Sequence, residues 1–242
     1  MRFENTEVFN FEGAFRGMRN PKNSWNKSDS YIYQRNFIIG EEDLKLARKL
    51  IKGGSEHRKF MRQIFVSVDI TAPLYWWKEF DTYKVGTVAN STSTMHKILS
   101  KPITIDCFEV DDYHRELGLI DDVNIGLRVD CFIDDLEQLR QMCLYYIDKE
   151  KKATSEEEKA EAQEYQRLYW KELIRWLPES WLQKRTVTMS YENLFAMCSK
   201  GQRRFHKLNE WSGKYNSKIS NFITWARSLP YAQDLIFIDE VN

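Results

Sequence analysis

The stretch QIFVSVDITAPLYWWKEF (63–80) decides the fold. Ile64, Val66, Val68 and Ile70 alternate along it, which is the period-two pattern of a strand with one buried face. Ala72-Pro73 ends that pattern. A proline suits the first turn of a helix, because an N–H there has no intrahelical partner anyway. The spacing predicts a strand over 63–70 that passes into a short aromatic helix over 73–80.

Upstream, EEDLKLARKLIK (41–52) places Leu44, Ala47, Leu50 and Ile51 at helical spacing. Acids open this helix and lysines close it, as the helix dipole favours, and Gly53-Gly54 stop it. Residues 2–11 read as a strand that ends near Gly13. The segment GMRNPKNSWNKSDS (17–30) is rich in turn formers. With Arg16, Arg19, Ser24 and Ser28 it is either an anion-contacting loop or a plain surface loop.

Downstream of 80, a polar run covers 81–97 and ITIDCFE (103–109) suggests another strand. Helices are predicted over 132–149 and 155–176; Thr154 or Ser155 can cap the second, and acids fill its first turn. RTVTMSY (185–191) reads as a strand or extended entry segment. Residues 192–211 and 216–228 read as helices. No repeat or linker is apparent. The prediction is one α/β (α+β) domain over 1–242, with an acidic helical section around 110–176.

Composition bounds what this domain can do. With 242 residues, 42% hydrophobic and 14% aromatic, the chain can bury a substantial core, which excludes disorder as its main state. The 36 basic side chains balance 36 acidic ones, which argues against a nucleic-acid partner. The balance hides a pattern. Residues 1–101 carry 17 basic and 11 acidic side chains, net +6; residues 102–164 carry 7 and 18, net −11; residues 165–242 carry 12 and 7, net +5. Two basic stretches that meet in space would make an anion site, and the acidic middle reads as a solvated face.

Cys107, Cys131, Cys143 and Cys198 lack the spacing of a zinc site or a disulfide framework. Four buried free thiols in a reducing cytoplasm is the expectation. The N-terminus carries acids inside its apolar run, unlike a signal peptide, and no stretch approaches a membrane span. No HExxH, GxSxG, GxGxxG or Walker pattern occurs, so no metal site or nucleophile–base pair is predicted. The carboxylates of EVDDYHRELGLIDD (109–122) match no calcium loop.

Three polar clusters remain: GGSEHRKFMR (53–62), KEFDTYKVGTVANSTSTMH (78–96) and KGQRRFHK (200–207). Each has donors suited to phosphate oxygens, and the first two flank Tyr75-Trp76-Trp77. Aromatic faces beside cations suit a nucleotide or a flavin. The alternative is that the aromatics are core and the cations are merely exposed.

The order of these clusters resembles the flavin-dependent thymidylate synthases, in particular short phage-type relatives. That family has a helix, a His-x-(Thr/Ser)-Pro-Phe-Glu segment, and a strand ending in Ala-Pro. An Arg-Gln-aromatic stretch follows, then Arg-His-Arg-x-x-Ser-x-Asn-Glu-x-Ser-x-Arg-Tyr. Here His57-Arg58-Lys59-Phe60-Met61-Arg62 takes the place of the segment, and Ala72-Pro73 ends the strand without a gap. Lys78-Glu79-Phe80 takes the Arg-Gln-aromatic place, and Thr82-Tyr83-Lys84 falls on Arg-His-Arg. Asn90-Ser91-Thr92-Ser93 resembles the Asn-Glu-x-Ser part, with Ala89 as a one-residue insertion. LPESWLQKRTVTMSYENL (177–194) resembles the later Leu-Pro segment, and Arg203-Arg204 lies near the family's late nucleotide-binding Arg. The likeness covers about 40–97 well and 177–208 loosely. Two signature arginines have become Thr82 and Lys84, the signature histidine Tyr83, and the Glu position of the segment Arg62; Lys84 lacks the bidentate fork of Arg.

The resemblance implies a thymidylate synthase-complementing-protein-like fold, with a small, mostly antiparallel sheet and several helices. It implies a homotetramer with FAD and dUMP at subunit interfaces, reductively methylating dUMP with NADPH and methylenetetrahydrofolate in the cytoplasm, or the host cytoplasm for a phage-encoded chain. Cofactor contacts then fall on His57, Arg62, Tyr83, Lys84 and Asn90. Substrate contacts fall on Lys78, Glu79, Ser91, Ser93, Arg203 and Arg204. The other reading is a catalytically inactive nucleotide- or protein-binding member of the same fold.

Overall fold

The computed structural model describes residues 1–111, 119–120, 123–198 and 203–240, with side chains of 112–127 excepted. Most of the carboxylate run 109–122, and positions 200–202 of the KGQRRFHK cluster, lie outside the described residues. In chain order the elements are β1 (Arg2–Phe9), α1 (Phe11–Arg19), β2 (Tyr31–Tyr33), β3 (Asn36–Ile38), α2 (Glu41–Lys52), β4 (Phe65–Pro73), α3 (Leu74–Phe80), β5 (Val88–Ser91) and α4 (Thr94–Lys97). There follow β6 (Leu119–Ile120), β7 (Val123–Asn124), α5 (Ile125–Lys152), α6 (Glu156–Arg175), β8 (Leu182–Ser190), α7 (Tyr191–Met197), α8 (Asn209–Ser212), α9 (Phe222–Arg227) and α10 (Ala232–Leu235). The chain divides into two compact units, one of residues 1–71, 76–90 and 184–242, the other of 72–75 and 91–183.

The first unit is built on a sheet of order β1-β4-β8-β5. The alternation of 64–70 is realised on β4: Ile64, Val66, Val68 and Ile70 are all fully buried. Each such side chain contributes about 1.5–3 kcal/mol by leaving water. β1 pairs antiparallel with β4, and its register breaks between Glu4 and Glu7, where Asn5 adopts φ 52°. A bulge is a place where Asn tolerates the left-handed region. On the opposite face Asp69 accepts from Thr186 Oγ1 at 2.6 Å and Asn5 Nδ2 at 2.9 Å, with Lys184 Nζ at 3.0 Å. Those donors, Thr186 first, lower its pKa to about 2.

The aromatic helix forms as predicted and points its bulk inward. Trp76, Trp77 and Phe80 are buried. Trp76 stacks on Phe80 at 5.3 Å and meets Trp211 at 5.5 Å and Phe222 at 5.8 Å. α2 also spans the predicted residues. Two expectations are corrected here. The strand of the N-terminus stops at Phe9, and 11–19 is a helix that buries Ala14, Phe15 and Met18. Arg19 is no anion-loop residue: it is buried against the equally buried Asp43, Nε to Oδ1 2.6 Å.

The second unit holds the acidic stretch 102–164 entire. α5 and α6 are longer and shorter respectively than predicted, and Ser155 caps α6 by accepting from the Glu158 N–H at 3.2 Å. Its core gathers Ile98, Ile103, Phe108, Ile133, Leu136 and Leu173. The strand predicted over 103–109 is replaced by a 3-10 turn at Ile105–Cys107 and one antiparallel bridge, Phe108 to Trp181. The physical reason is that the Ile103 N–H donates to Glu137 Oε2 at 2.7 Å, so this backbone is bonded to a helix side chain in place of a ladder.

Glu137 also accepts two bonds from Arg140, at 2.7 and 2.8 Å. The Arg140 guanidinium is the main reason its pKa falls to about 2. The folded value lies below the unfolded one. The stabilisation is therefore complete above the unfolded carboxylate pKa and is lost as pH falls through the folded value. Glu137→Gln should flatten the acid limb of stability between about pH 4.5 and about 2. Urea unfolding above and inside that window checks this. An unchanged limb would show that the pair adds nothing.

No helix among the described residues is long and apolar enough to cross a membrane. Cys143 and Cys198 are buried, but Cys131 is exposed and Cys107 half-buried, which corrects the expectation of four buried thiols.

Candidate functional site

The C-terminal end of α3 carries Glu79 out of the aromatic core. A 3-10 turn, Asp81–Tyr83, follows directly. Thr82 Oγ1 donates to the Glu79 carbonyl at 2.7 Å, and the Tyr83 hydroxyl donates to Glu79 Oε1 at 3.0 Å. His206 Nε2 stands 3.4 Å from the same carboxylate oxygen. The Tyr83 ring packs against Trp211 at 5.7 Å, and the Arg203 guanidinium lies over that ring at 4.6 Å. Glu79, Tyr83 and Arg203, separated by up to 124 positions in sequence, therefore form one cluster with His206 and Trp211.

The short helix α7 ties this cluster to two other segments. Ser190 and Asn193 make a capping box at its start. Glu192 accepts from Arg58 Nε at 2.9 and 3.0 Å, and Arg58 lies over the Phe195 ring at 4.6 Å. Asn193 Nδ2 donates to the Val85 carbonyl at 2.7 Å, and the Ala196 carbonyl accepts from Arg203 at 2.8 Å. One two-turn helix thus pins the 57–62 segment, the 82–87 turn and the 203–206 turn. Arg58, Glu192 and Asn193 were missed in the sequence. Ser190 with Asn193 three residues on was the available signal for the start of α7.

The remaining candidates are placed as follows. His57 is exposed, with its N–H bonded to the Gly54 carbonyl. Arg62 is exposed at the end of the 3-10 turn Lys59–Gln63, Lys78 on the outer side of α3, and Lys84 after the 81–83 turn. Asn90 and Ser91 are exposed on β5. Ser93 belongs to the second unit, where it caps α4 and accepts from the His96 N–H at 3.3 Å. Among the described residues no hydrogen bond or ion pair joins His57, Arg62, Lys84 or Asn90 to the Glu79 cluster.

Arg204 has a different task from the one its neighbour allows. It is buried, donates to the Cys198 carbonyl at 2.9 Å, and holds Asp239 at 2.6 and 3.0 Å and Glu240 at 2.8 Å. Its fork is used to anchor the C-terminal segment, which corrects the expectation that it faces a phosphate. Among the described residues one N–H of Arg203 is used, on the Ala196 carbonyl, out of the five a guanidinium offers.

The fold has solved counterparts. It is a mixed fold of helices and a small antiparallel sheet, similar along its whole length to that of the flavin-dependent thymidylate synthases. One such protein is ThyX from Helicobacter pylori, in a structure complexed with FAD and dUMP. It matches at TM-score 0.56 and 13% identity, over 100% of both chains. A second structure of that protein with FAD and dUMP matches at TM-score 0.54 and 13% identity, over 99% of this chain and 98% of the other. No protein-family model and no curated protein sequence matches the chain.

Proposed function

We propose that this chain is a divergent flavin-dependent thymidylate synthase-like protein. It binds FAD and a pyrimidine deoxynucleotide and methylates dUMP reductively to dTMP, with NADPH and methylenetetrahydrofolate as co-substrates. The observation that carries this reading is the end-to-end likeness of fold to a protein solved with FAD and dUMP. The resemblance of residues 40–97 to that family supports it from the sequence.

The donor set fits such ligands. Arg62, Lys78 and Lys84 are exposed cations, and Arg203 offers guanidinium N–H groups beside an aromatic ring. In this reading His57, Arg62, Tyr83, Lys84 and Asn90 hold the cofactor. Lys78, Glu79 and Arg203 hold the nucleotide. Bound FAD, once reduced, supplies the hydride. The chain's own residues supply charge and orientation. Glu79 fixes the Tyr83 hydroxyl, and α7 fixes the 82–87 turn, so the cationic side chains issue from a preorganised frame. Ligands bind between subunits of a homotetramer, in the cytoplasm of the cell or of the phage host.

One observation favours the second reading, an inactive nucleotide-binding member of the fold. The residues in the signature place, Thr82 and Tyr83, are engaged with Glu79, Trp211 and Arg203 within the chain. Complementation of a thymidine auxotroph separates the two. Growth without thymidine is expected. No growth from soluble, expressed protein that still binds dUMP would favour the inactive reading.

A further inference from the structure

A cleft of about 680 Å³ opens in the first unit, lined by none of the residues proposed above to hold FAD or the nucleotide. It lies among the end of β1, the start of α1, the β2–β3 hairpin and Tyr231. Its size is within the roughly 300–1,000 Å³ typical of small-molecule sites. We propose that it binds a planar aromatic ligand of about mononucleotide size that carries one anionic group.

The backbone around the cleft is unusual. Asn10, Arg35 and Tyr231 all line it, with φ of 70°, 67° and 54°. Non-glycine residues in this region cost energy and cluster at functional sites. Tyr231 is held there by its hydroxyl, which accepts the Ile39 N–H at 3.1 Å, and by its edge contact with Phe11 at 5.5 Å. Gly13 completes the wall, because a Cβ there would collide with the Asn10 amide oxygen.

Arg35 is the anchor of the proposal. Gln34 and Arg35 form a two-residue hairpin loop with φ of 46° and 67°, the type I′ geometry that Asn-Gly makes most easily. The chain instead carries a Gln-Arg pair. What that pair adds is a guanidinium on the cleft, with no hydrogen bond or ion pair among the described residues. Arg16 is the second cation, and Glu12, 3.7 Å away, balances it. The lining therefore carries one net positive charge, which suits one anionic group. Phe9, Phe11 and Phe37 supply ring faces and edges, and Phe9 remains 45% exposed after stacking on Phe65 at 5.8 Å.

The test is calorimetry with AMP, whose phosphate is joined to the adenine ring through ribose, with nicotinate, whose carboxylate is on its ring, and with inorganic phosphate as the ringless control. Saturable binding of AMP or nicotinate is expected, with inorganic phosphate much weaker. The double variant Gln34→Asn/Arg35→Gly should raise the Tm, since it eases the turn, yet weaken binding about tenfold or more. Saturating the protein with FAD and dUMP beforehand should leave that affinity unchanged. The proposal is overturned if neither aromatic anion binds or phosphate binds as well as AMP. Full affinity in the double variant, or loss of binding once FAD and dUMP are present, overturns it too.

Discussion

Asp43→Ala is expected to lower the stability of the fold by about 3–5 kcal/mol. Asp43 is fully buried at the start of α2. Its carboxylate accepts from Arg19 Nε at 2.6 Å and from the Ser28 and Ser30 hydroxyls, each at 2.5 Å. Beside it, Asp29 accepts the Glu42 and Asp43 N–H groups at 2.9 and 3.1 Å. A Cβ at Gly40 would collide with that carboxylate. The 28–30 loop therefore clamps the first turn of α2, and Arg19 ties α1 to the same point. Removing Asp43 leaves a guanidinium in the interior and two hydroxyls without their acceptor. Replacing both charges, Arg19→Met with Asp43→Leu, should cost much less than the two single changes together, because the desolvation of both ions is then avoided. Urea unfolding measures both. A loss under about 1 kcal/mol for Asp43→Ala would mean that the pair is hydrated.

The second large effect separates two neighbours. Arg204→Met should cost about 2–4 kcal/mol, because it strips Asp239 of its partner and leaves the Cys198 carbonyl without a donor. Nucleotide affinity, corrected for the folded fraction, should be unchanged. Arg203→Ala should do the reverse. It loses one hydrogen bond and a ring contact, about 1 kcal/mol or so, but should weaken dUMP binding about tenfold or more. Thermal unfolding and calorimetry on the two variants decide this. Equal effects of both on dUMP would return Arg204 to the site.

That contrast marks where the sequence stops being legible. Arg203 and Arg204 are adjacent and chemically alike. Which of them turns inward depends on Asp239 and Glu240, some 35 positions on, and no local pattern carries that. By contrast, the strand, the Ala-Pro step and the helix of 63–80 are encoded locally, by alternation and by the proline, and they form as read. α2 and the α5–α6 pair are legible for the same reason, since long periodic segments outweigh tertiary effects.

The errors are local signals that tertiary contacts overrode. α1 hid behind Gly13 and Gly17, which read as turn formers, although Phe15 and Met18 pack inward. The β2–β3 hairpin lacked the Asn-Gly that announces such turns. The helix predicted over 192–211 ends at Met197, and the described residues 203–205 form a turn with only a short helix at Asn209–Ser212. The helix predicted over 216–228 is likewise shorter, running from Phe222 to Arg227 with Asn221 as its cap. For the site, Glu79 and Tyr83 were within reach of sequence reading because they sit four apart at the C-terminal end of the aromatic helix. The role of α7 in holding Arg58 and Val85 was not, because those contacts span 134 and 108 positions.

That the chain holds a flavin is a proposal that the visible absorbance spectrum tests most directly. Protein saturated with FAD and then freed of excess by gel filtration should retain the flavin bands, and dUMP should perturb them. A colourless protein after that treatment, still folded by circular dichroism, would contradict the claim.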